Sequence, residues 1–81
     1  MSWRLTLYTR RGCHLCEEMK EVLREVSQET PFGLEEIDID RSADLEEKFG
    51  QEVPVLFIDG RKAFKYRVTA GELKDRLRKA V

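Results

Sequence analysis

The chain has 81 residues, of which 41% are hydrophobic and 38% are charged. This composition is typical of one soluble globular domain and excludes a disordered chain. Fifteen Lys and Arg against sixteen Asp and Glu leave a formal net charge of -1, so no overall field attracts nucleic acid or an anionic membrane. We therefore expect one domain over residues 1–81, without nucleic-acid or membrane partners.

The N-terminal residues predict a cytoplasmic location. Residues 1–7 lack the continuous apolar stretch of a signal peptide. No segment approaches the roughly 20 apolar residues that a membrane-spanning helix needs. We expect a cytoplasmic protein and a monomer.

The first elements are a predicted strand and a predicted helix. Trp3, Leu5 and Leu7 alternate with polar residues, which is the period of two typical of a strand. Further along, apolar residues recur every three or four positions and line one face of a helix. These residues are Leu15, Met19, Val22, Leu23 and Val26. A pair of cysteines therefore opens a helix directly after a strand.

The middle of the chain predicts a second strand and a short helix. Residues 30–33, Thr-Pro-Phe-Gly, predict a break after the first helix, because proline removes a hydrogen-bond donor and glycine favours turns. Apolar residues within 34–39 then indicate a strand. Asp40 or Ser42 is predicted to cap a short helix that runs through Phe49.

The last third predicts a hairpin and a closing helix. Residues 53–58 form a nearly continuous apolar run, which is typical of a strand buried on both faces. Asp59-Gly60 is a tight-turn signal, so residues 61–66 are predicted to pair back antiparallel. Thr69 and Glu72 have the spacing of a capping box at the start of a helix.

The order of the elements predicts an α/β fold. A crossover helix between the first two strands makes them parallel, while the hairpin adds an antiparallel edge. The expected architecture is the minimal thioredoxin-like one, with three α/β/α layers. It contains a four-stranded mixed sheet and three helices in the order β-α-β-α-β-β-α.

The two cysteines of the chain form a Cys13-His14-Leu15-Cys16 motif. A disulfide across so short a loop stabilises a fold weakly in the chain-entropy model, so a structural staple is a poor explanation. In a reducing compartment such a pair indicates redox catalysis or metal binding. A structural zinc site takes four ligands, so a metal here would need a dimer or an outside ligand. A redox pair is the main prediction. A non-catalytic binding module or a metal-bridged dimer is the alternative.

The two cysteines have different predicted roles. Unpaired amides and the dipole at a helix N-terminus favour a thiolate at Cys13, and the neighbouring Arg10 and Arg11 add positive charge. His14 either stabilises that thiolate or points into solvent. Cys16 lies one helical turn deeper on the same face. We predict that Cys13 attacks a disulfide and that Cys16 then resolves the mixed disulfide.

Three segments together resemble glutaredoxin-like proteins over nearly the whole chain. They are residues 8–16 (Tyr-Thr-Arg-Arg-Gly-Cys-His-Leu-Cys), residues 53–54 (Val-Pro) and residues 57–60 (Phe-Ile-Asp-Gly). The resemblance implies a dithiol–disulfide oxidoreductase.

The same resemblance implies the substrate-binding residues. It implies a cis Pro54 that faces the cysteines, whereas the residues alone also allow a simple strand-entry proline. It further implies that Val53 presents backbone groups to the substrate and that Arg10 pairs with a substrate carboxylate. Arg10 with its neighbour is alternatively a solvated loop. Together with His14, these are the predicted substrate-binding residues, and no metal ligand is predicted.

The chain departs from the family where glutathione-using members carry a Gly-Gly pair. Phe64-Lys65 stands there instead, so we predict weaker glutathione binding, with Lys65 or Arg67 available to receive an anion. No bound cofactor is expected. Electrons would come from glutathione or from a thioredoxin-reductase-type donor, and the substrate would be a disulfide in a protein or a small molecule.

Overall fold

A computed structural model describes residues 3–79, in which four strands and three α-helices follow one another in the predicted order, with one 3-10 turn that was not predicted. They are β1 (Trp3–Thr9), α1 (His14–Ser27), β2 (Phe32–Asp38), the 3-10 turn (Ile39–Arg41), α2 (Ala43–Phe49), β3 (Val55–Ile58), β4 (Arg61–Lys65) and α3 (Ala70–Lys79). The predicted fold class is confirmed.

The sheet has the strand order β2-β1-β3-β4. β1 and β2 are parallel because α1 crosses between them, and β3 and β4 are each antiparallel to the preceding neighbour in the sheet. Tyr8 pairs with Val55, so the preceding Pro54 lies opposite Thr9. The Val53-Pro54 segment is thereby placed at the edge of the sheet where β1 ends and the cysteine motif begins.

Helices cover both faces of the sheet. On one face, Leu5 and Leu7 of β1 pack into a core with apolar residues of α1 and α3. The helical members of that core are Met19, Leu23, Val26, Leu73 and Leu77. On the other face, Tyr8 stacks on Phe49 of α2 with ring centroids 4.6 Å apart, and Phe57 meets both rings edge-on. Two layers of helix thus enclose the sheet.

The hairpin turn between β3 and β4 and the start of α3 form as the local sequence predicts. Asp59 and Gly60 both have positive φ, 50° and 84°, which is the signature of the type I′ hairpin turn. The Thr69 amide donates to Glu72 Oε1 at 2.9 Å, and the Glu72 amide donates to Thr69 Oγ1 at 3.1 Å. This reciprocal pair is a capping box.

The starts of two strands differ from the prediction. β2 begins at Phe32, within the predicted break, because Phe32 packs against the core while the exposed Gly33 pairs with Arg4. β3 begins at Val55 because Pro54 has no N–H to donate to a neighbouring strand. Of the two predicted caps for α2, Ser42 is the one used, through its hydroxyl and the Leu45 amide.

Candidate active site

The connection from β1 to α1 is a tight turn over residues 10–13. The Cys13 amide donates to the Arg10 carbonyl at 3.3 Å, and Gly12 at the third position has a φ of 76°. A positive φ at that position is the requirement of a type II turn, which glycine meets without steric cost. The turn delivers Cys13 to the start of α1.

Cys13 and Cys16 are joined as a disulfide. Cys13 is the N-cap of α1, and its sulfur accepts a hydrogen bond from the Cys16 amide at 3.0 Å. Cys13 is half-buried, whereas Cys16 is fully buried. The Cys13 sulfur thus meets a backbone amide at the start of the helix in a partly exposed residue, whereas the Cys16 sulfur belongs to a buried one.

His14 points away from this sulfur pair. Its side chain is 90% exposed, and Nε2 lies 3.0 Å from Glu18 Oε2 one turn along α1. Of the two arrangements that the sequence leaves open, the structure contains the solvent-facing one. A contact between His14 and a substrate stays a prediction.

The acidic residue that directly follows Cys16 is paired with a cation. Glu17, in the first turn of α1, lies with Oε2 3.1 Å from Lys20 Nζ, and Lys20 also lies 3.3 Å from Glu36 of β2. The hydrogen bond that Lys20 donates to Glu17, followed by the one it donates to Glu36, raises the pKa of Lys20 against the opposing effect of its partial burial. Lys20 thus offsets a negative charge that would oppose a thiolate at Cys13.

Arg10 is held by the opposite layer of the protein. Its guanidinium pairs with Glu46 of α2, with Asp40 Oδ1 at 3.3 Å and with the Gly50 carbonyl at 3.2 Å. The hydrogen bond to Glu46 is the largest cause of the raised pKa of Arg10. Its pairing with a substrate carboxylate stays a prediction, and in the free protein Arg10 ties the turn before Cys13 to α2.

The Val53-Pro54 peptide bond is cis, as the resemblance implied. The Val53 amide donates to the Phe49 carbonyl at 3.1 Å, and the Pro54 carbonyl accepts from the Tyr66 amide at 2.8 Å. The segment is therefore anchored to α2 on one side and to the end of β4 on the other.

Tyr66 is a residue that the sequence reasoning missed. It has a φ of 69°, and the Arg67 amide donates across it to the Lys65 carbonyl at 2.8 Å, which closes a γ-turn. Its hydroxyl donates to the Gln51 carbonyl at 3.2 Å. The glycine-like backbone position thus lies one residue after the predicted Phe64-Lys65 pair. Only the absence of Gly-Gly from the sequence pointed to this segment.

A groove of about 240 Å³ lies between α1 and the segment after β4. Its lining includes Leu15 of the cysteine motif, so the groove reaches that motif. The lining combines apolar side chains with two acidic residues, Glu18 and Glu72, and one basic residue, Arg67.

The family model for the glutaredoxin-like domain matches residues 4–78. The chain belongs to this glutaredoxin-like family. A relative named "Glutaredoxin-like protein YDR286C homolog", from Dictyostelium discoideum, is 36% identical over 75 residues, which cover 85% of this chain and 69% of that protein. "Uncharacterized protein Rv0508" from Mycobacterium tuberculosis is 36% identical over 73 residues, or 84% of this chain and 75% of that protein.

Solved structures share the fold of this glutaredoxin-like domain. Protein XcR50 from X. campestris is 35% identical, with a TM-score of 0.82 over 95% of this chain and 99% of that one. Ne2328 from Nitrosomonas europaea is 33% identical, with a TM-score of 0.81 over 94% and 92%. Desulfothioredoxin from Desulfovibrio vulgaris Hildenborough is 25% identical, with a TM-score of 0.70 over 93% and 78%. The chain is a thioredoxin-fold protein with a CxxC pair.

Among the helices of residues 3–79, none is long and apolar enough to cross a membrane. Over the same described residues, no three side chains of the His, Cys, Asp and Glu types form a group that could hold a metal ion.

Proposed function

We propose that this glutaredoxin-like domain is a thiol–disulfide oxidoreductase in which Cys13 attacks and Cys16 resolves. The observation that carries the proposal is the difference in burial within the disulfide pair at the start of α1. The sulfur of a partly exposed residue at a helix N-terminus is accessible to a substrate and is stabilised as a thiolate. A fully buried sulfur behind it reaches Cys13 but not a bulky substrate.

The reaction is a pair of thiol–disulfide exchanges. The Cys13 thiolate attacks one sulfur of the substrate disulfide, forms a mixed disulfide, and expels the other substrate sulfur as a thiolate. The Cys16 thiolate then attacks Cys13 Sγ and expels the second substrate thiolate. Two electrons have moved to the substrate, and the protein is left with the Cys13–Cys16 disulfide.

We expect the substrate to lie between the cysteine motif at the start of α1 and the Val53-Pro54 segment. Val53 already uses its N–H toward Phe49, so its carbonyl is the group left to pair with an extended substrate backbone. His14 faces solvent next to Cys13, where it is accessible to a bound molecule. These positions favour one of two substrate classes, a disulfide in an extended peptide or a small-molecule disulfide.

The electrons must return to the protein from a thiol reductant. We propose glutathione or a thioredoxin-reductase-type donor, with no resident cofactor. Turnover of a model disulfide with glutathione plus its reductase, and separately with thioredoxin reductase, distinguishes the two donors. The proposal is wrong if the reduced protein turns over with neither and Cys13 reacts with iodoacetamide no faster than a model thiol.

Trapping experiments test the order of the two cysteines. Cys16→Ser removes the resolving sulfur, so mixed disulfides at Cys13 should accumulate. The matched variant Cys13→Ser should trap few, because its remaining thiol is buried. Non-reducing gel electrophoresis followed by mass spectrometry counts the adducts. Equal trapping by both variants would contradict the assigned roles. Substrate binding that Cys13→Ser leaves unchanged would favour a non-catalytic binding module.

A further inference from the structure

An unpaired hydroxyl is buried at the end of β1. Thr9 is 8% exposed. Within residues 3–79, its Oγ1 is the buried side-chain nitrogen or oxygen atom for which no hydrogen-bond partner is found. Buried polar groups in folded proteins are nearly always hydrogen-bonded, because burial without a partner is unfavourable. The Thr9 hydroxyl is therefore a free hydrogen-bond donor in the disulfide form of the protein.

Thr9 and Cys16 lie at the same end of one helix–sheet interface. Leu5, Leu7 and Thr9 are the buried residues of β1, and the two leucines pack against α1. Cys16 is the first buried residue of α1. Because β1 and β2 are parallel, the crossover helix α1 runs back antiparallel to β1. The last buried residue of the strand is thus placed level with the first buried residue of the helix.

The chemical state of Cys16 changes when the disulfide is reduced. An external thiolate attacks Cys13 Sγ and forms a new sulfur–sulfur bond, while the bond between Cys13 and Cys16 breaks and its electron pair leaves on Cys16. Cys16 takes up a proton later. While it is charged it is an anion buried from water, and such an anion needs a hydrogen-bond donor. Cys13 has the free amides of the helix end, but Cys16 lies behind them.

We propose that the Thr9 hydroxyl donates a hydrogen bond to the Cys16 sulfur in the reduced protein. Thr9 would then be a positioning residue for the resolving cysteine. The inference deepens the proposed oxidoreductase function and rests on it for its biological meaning. Because the hydroxyl is unpaired in the disulfide state and paired in the reduced state, Thr9 shifts the equilibrium toward the reduced state.

The reduction potential tests this shift. Thr9→Val keeps the shape of the side chain and removes the hydroxyl, while Thr9→Ser keeps the hydroxyl as the matched control. Without the bond to sulfur, the equilibrium constant for reduction should fall about tenfold, which makes the potential about 30 mV more negative. Thr9→Ser should stay close to the unmodified protein. Equilibration with dithiothreitol and its disulfide gives each value.

The kinetics of reaction with an aromatic disulfide identify which cysteine sulfur accepts the hydrogen bond from the Thr9 hydroxyl. The reduced protein releases one thionitrobenzoate when Cys13 attacks Ellman's reagent and a second when Cys16 resolves the adduct. A hydroxyl donor stabilises a charged sulfur more than a neutral one, so Thr9→Val also lowers the thiolate fraction of Cys16 and should slow the second release severalfold. The first release, measured in the Cys16→Ser background, should not change. A slower first release with an unchanged second one would overturn the assignment to Cys16.

The unmodified protein provides a measurement that does not depend on any variant folding. The Thr9 hydroxyl proton is buried from water, and a hydrogen bond to sulfur in the reduced protein should move its NMR chemical shift downfield relative to the oxidised protein. An unchanged potential in Thr9→Val, or the same hydroxyl behaviour in both redox states, overturns the inference. None of these measurements uses a natural substrate or donor. A failed turnover assay would therefore overturn the proposed function and leave the Thr9 result standing.

Discussion

Gly12 determines how the chain turns from β1 into the cysteine motif. Its φ of 76° is unfavourable for a residue with a Cβ, although a Cβ there would meet no atom within 4 Å. Gly12→Ala should therefore destabilise the oxidised protein by about 1–2 kcal/mol through backbone strain alone. Urea unfolding followed by circular dichroism measures the change.

Gly71 is the matched control for Gly12. It lies in α3 without a positive φ, and an added Cβ would lie 4.0 Å from Thr69 Oγ1. Gly71→Ala should stabilise the protein by up to about 1 kcal/mol, because alanine loses less backbone entropy in a helix. If both substitutions changed stability in the same direction, strain at Gly12 would be contradicted.

Tyr66 determines how closely a ligand approaches the backbone after β4. Glutathione should bind weakly to Cys13→Ser, because side chains stand on both Lys65 and Tyr66. Replacing both residues with glycine in that background should tighten binding severalfold, since glycine adopts the φ of 69° readily and exposes the backbone. Isothermal titration calorimetry gives the affinities.

Tyr66→Phe keeps the ring and removes the hydroxyl that donates to the Gln51 carbonyl, so the same titration distinguishes the effects of the two groups. It should leave glutathione binding weak, since the ring still covers the backbone. Charge attraction to Lys65 or Arg67 contributes only about 0–1 kcal/mol at an exposed site and is screened by salt. Tight binding to the starting protein that resists added salt would show that this prediction is wrong.

At the scale of single elements, α3 depends on its first turn. Thr69→Ala removes one half of the capping box and should cost about 1 kcal/mol of unfolding free energy. Glu72→Ala removes the other half, whereas Glu72→Gln keeps an acceptor of the same reach and should be nearly neutral. A double-mutant cycle between the two alanine variants measures their coupling. Fully additive losses would mean that the two hydrogen bonds form independently.

The elements were predictable because each is specified by neighbours in the sequence. Asp59-Gly60 forms the predicted turn from its own backbone preferences, and Thr69 with Glu72 caps a helix over four residues. The alternation in β1 identified the buried face that Leu5 and Leu7 present. Local chemistry thus fixed the order and type of the elements.

The site was predictable only in part, because some of its contacts join distant residues. The cysteine pair and the cis proline followed from the motif and the resemblance. The attachment of Arg10 to α2 depends on how the sheet and α2 pack, which no local pattern encodes. The positive φ of Tyr66 arises where its amide reaches back to Pro54, so it too is a tertiary result.

At the scale of the whole molecule, acid stability depends in part on one surface pair. Glu52 pairs with Lys62 of β4, and that hydrogen bond lowers the pKa of Glu52 below its ordinary 4.5. Since the folded pKa is the lower one, the contribution is complete above about pH 4.5 and is lost as the pH falls through the folded value. Glu52→Gln should therefore reduce stability at neutral pH and leave it unchanged in strong acid.

Glu47→Gln is the control for this pH dependence. Glu47 is an exposed carboxylate of α2 for which the described part of the chain shows no ion pair. Urea midpoints over a range of pH should keep the native profile in Glu47→Gln, while Glu52→Gln flattens the acid limb. Equal profiles for the two variants would contradict the assignment to the Glu52–Lys62 pair.

The inner position of β1 in the sheet has a consequence for biosynthesis. A ribosome makes β1 before β2 and β2 before β3, so one edge of β1 gains its partner earlier than the other. The other edge pairs with β3, which follows α2 in the chain. Until then, the growing polypeptide carries an open strand edge flanked by apolar side chains, and such an edge pairs readily with foreign strands. Slow translation before β3 would therefore lengthen the period in which nascent chains are vulnerable to aggregation.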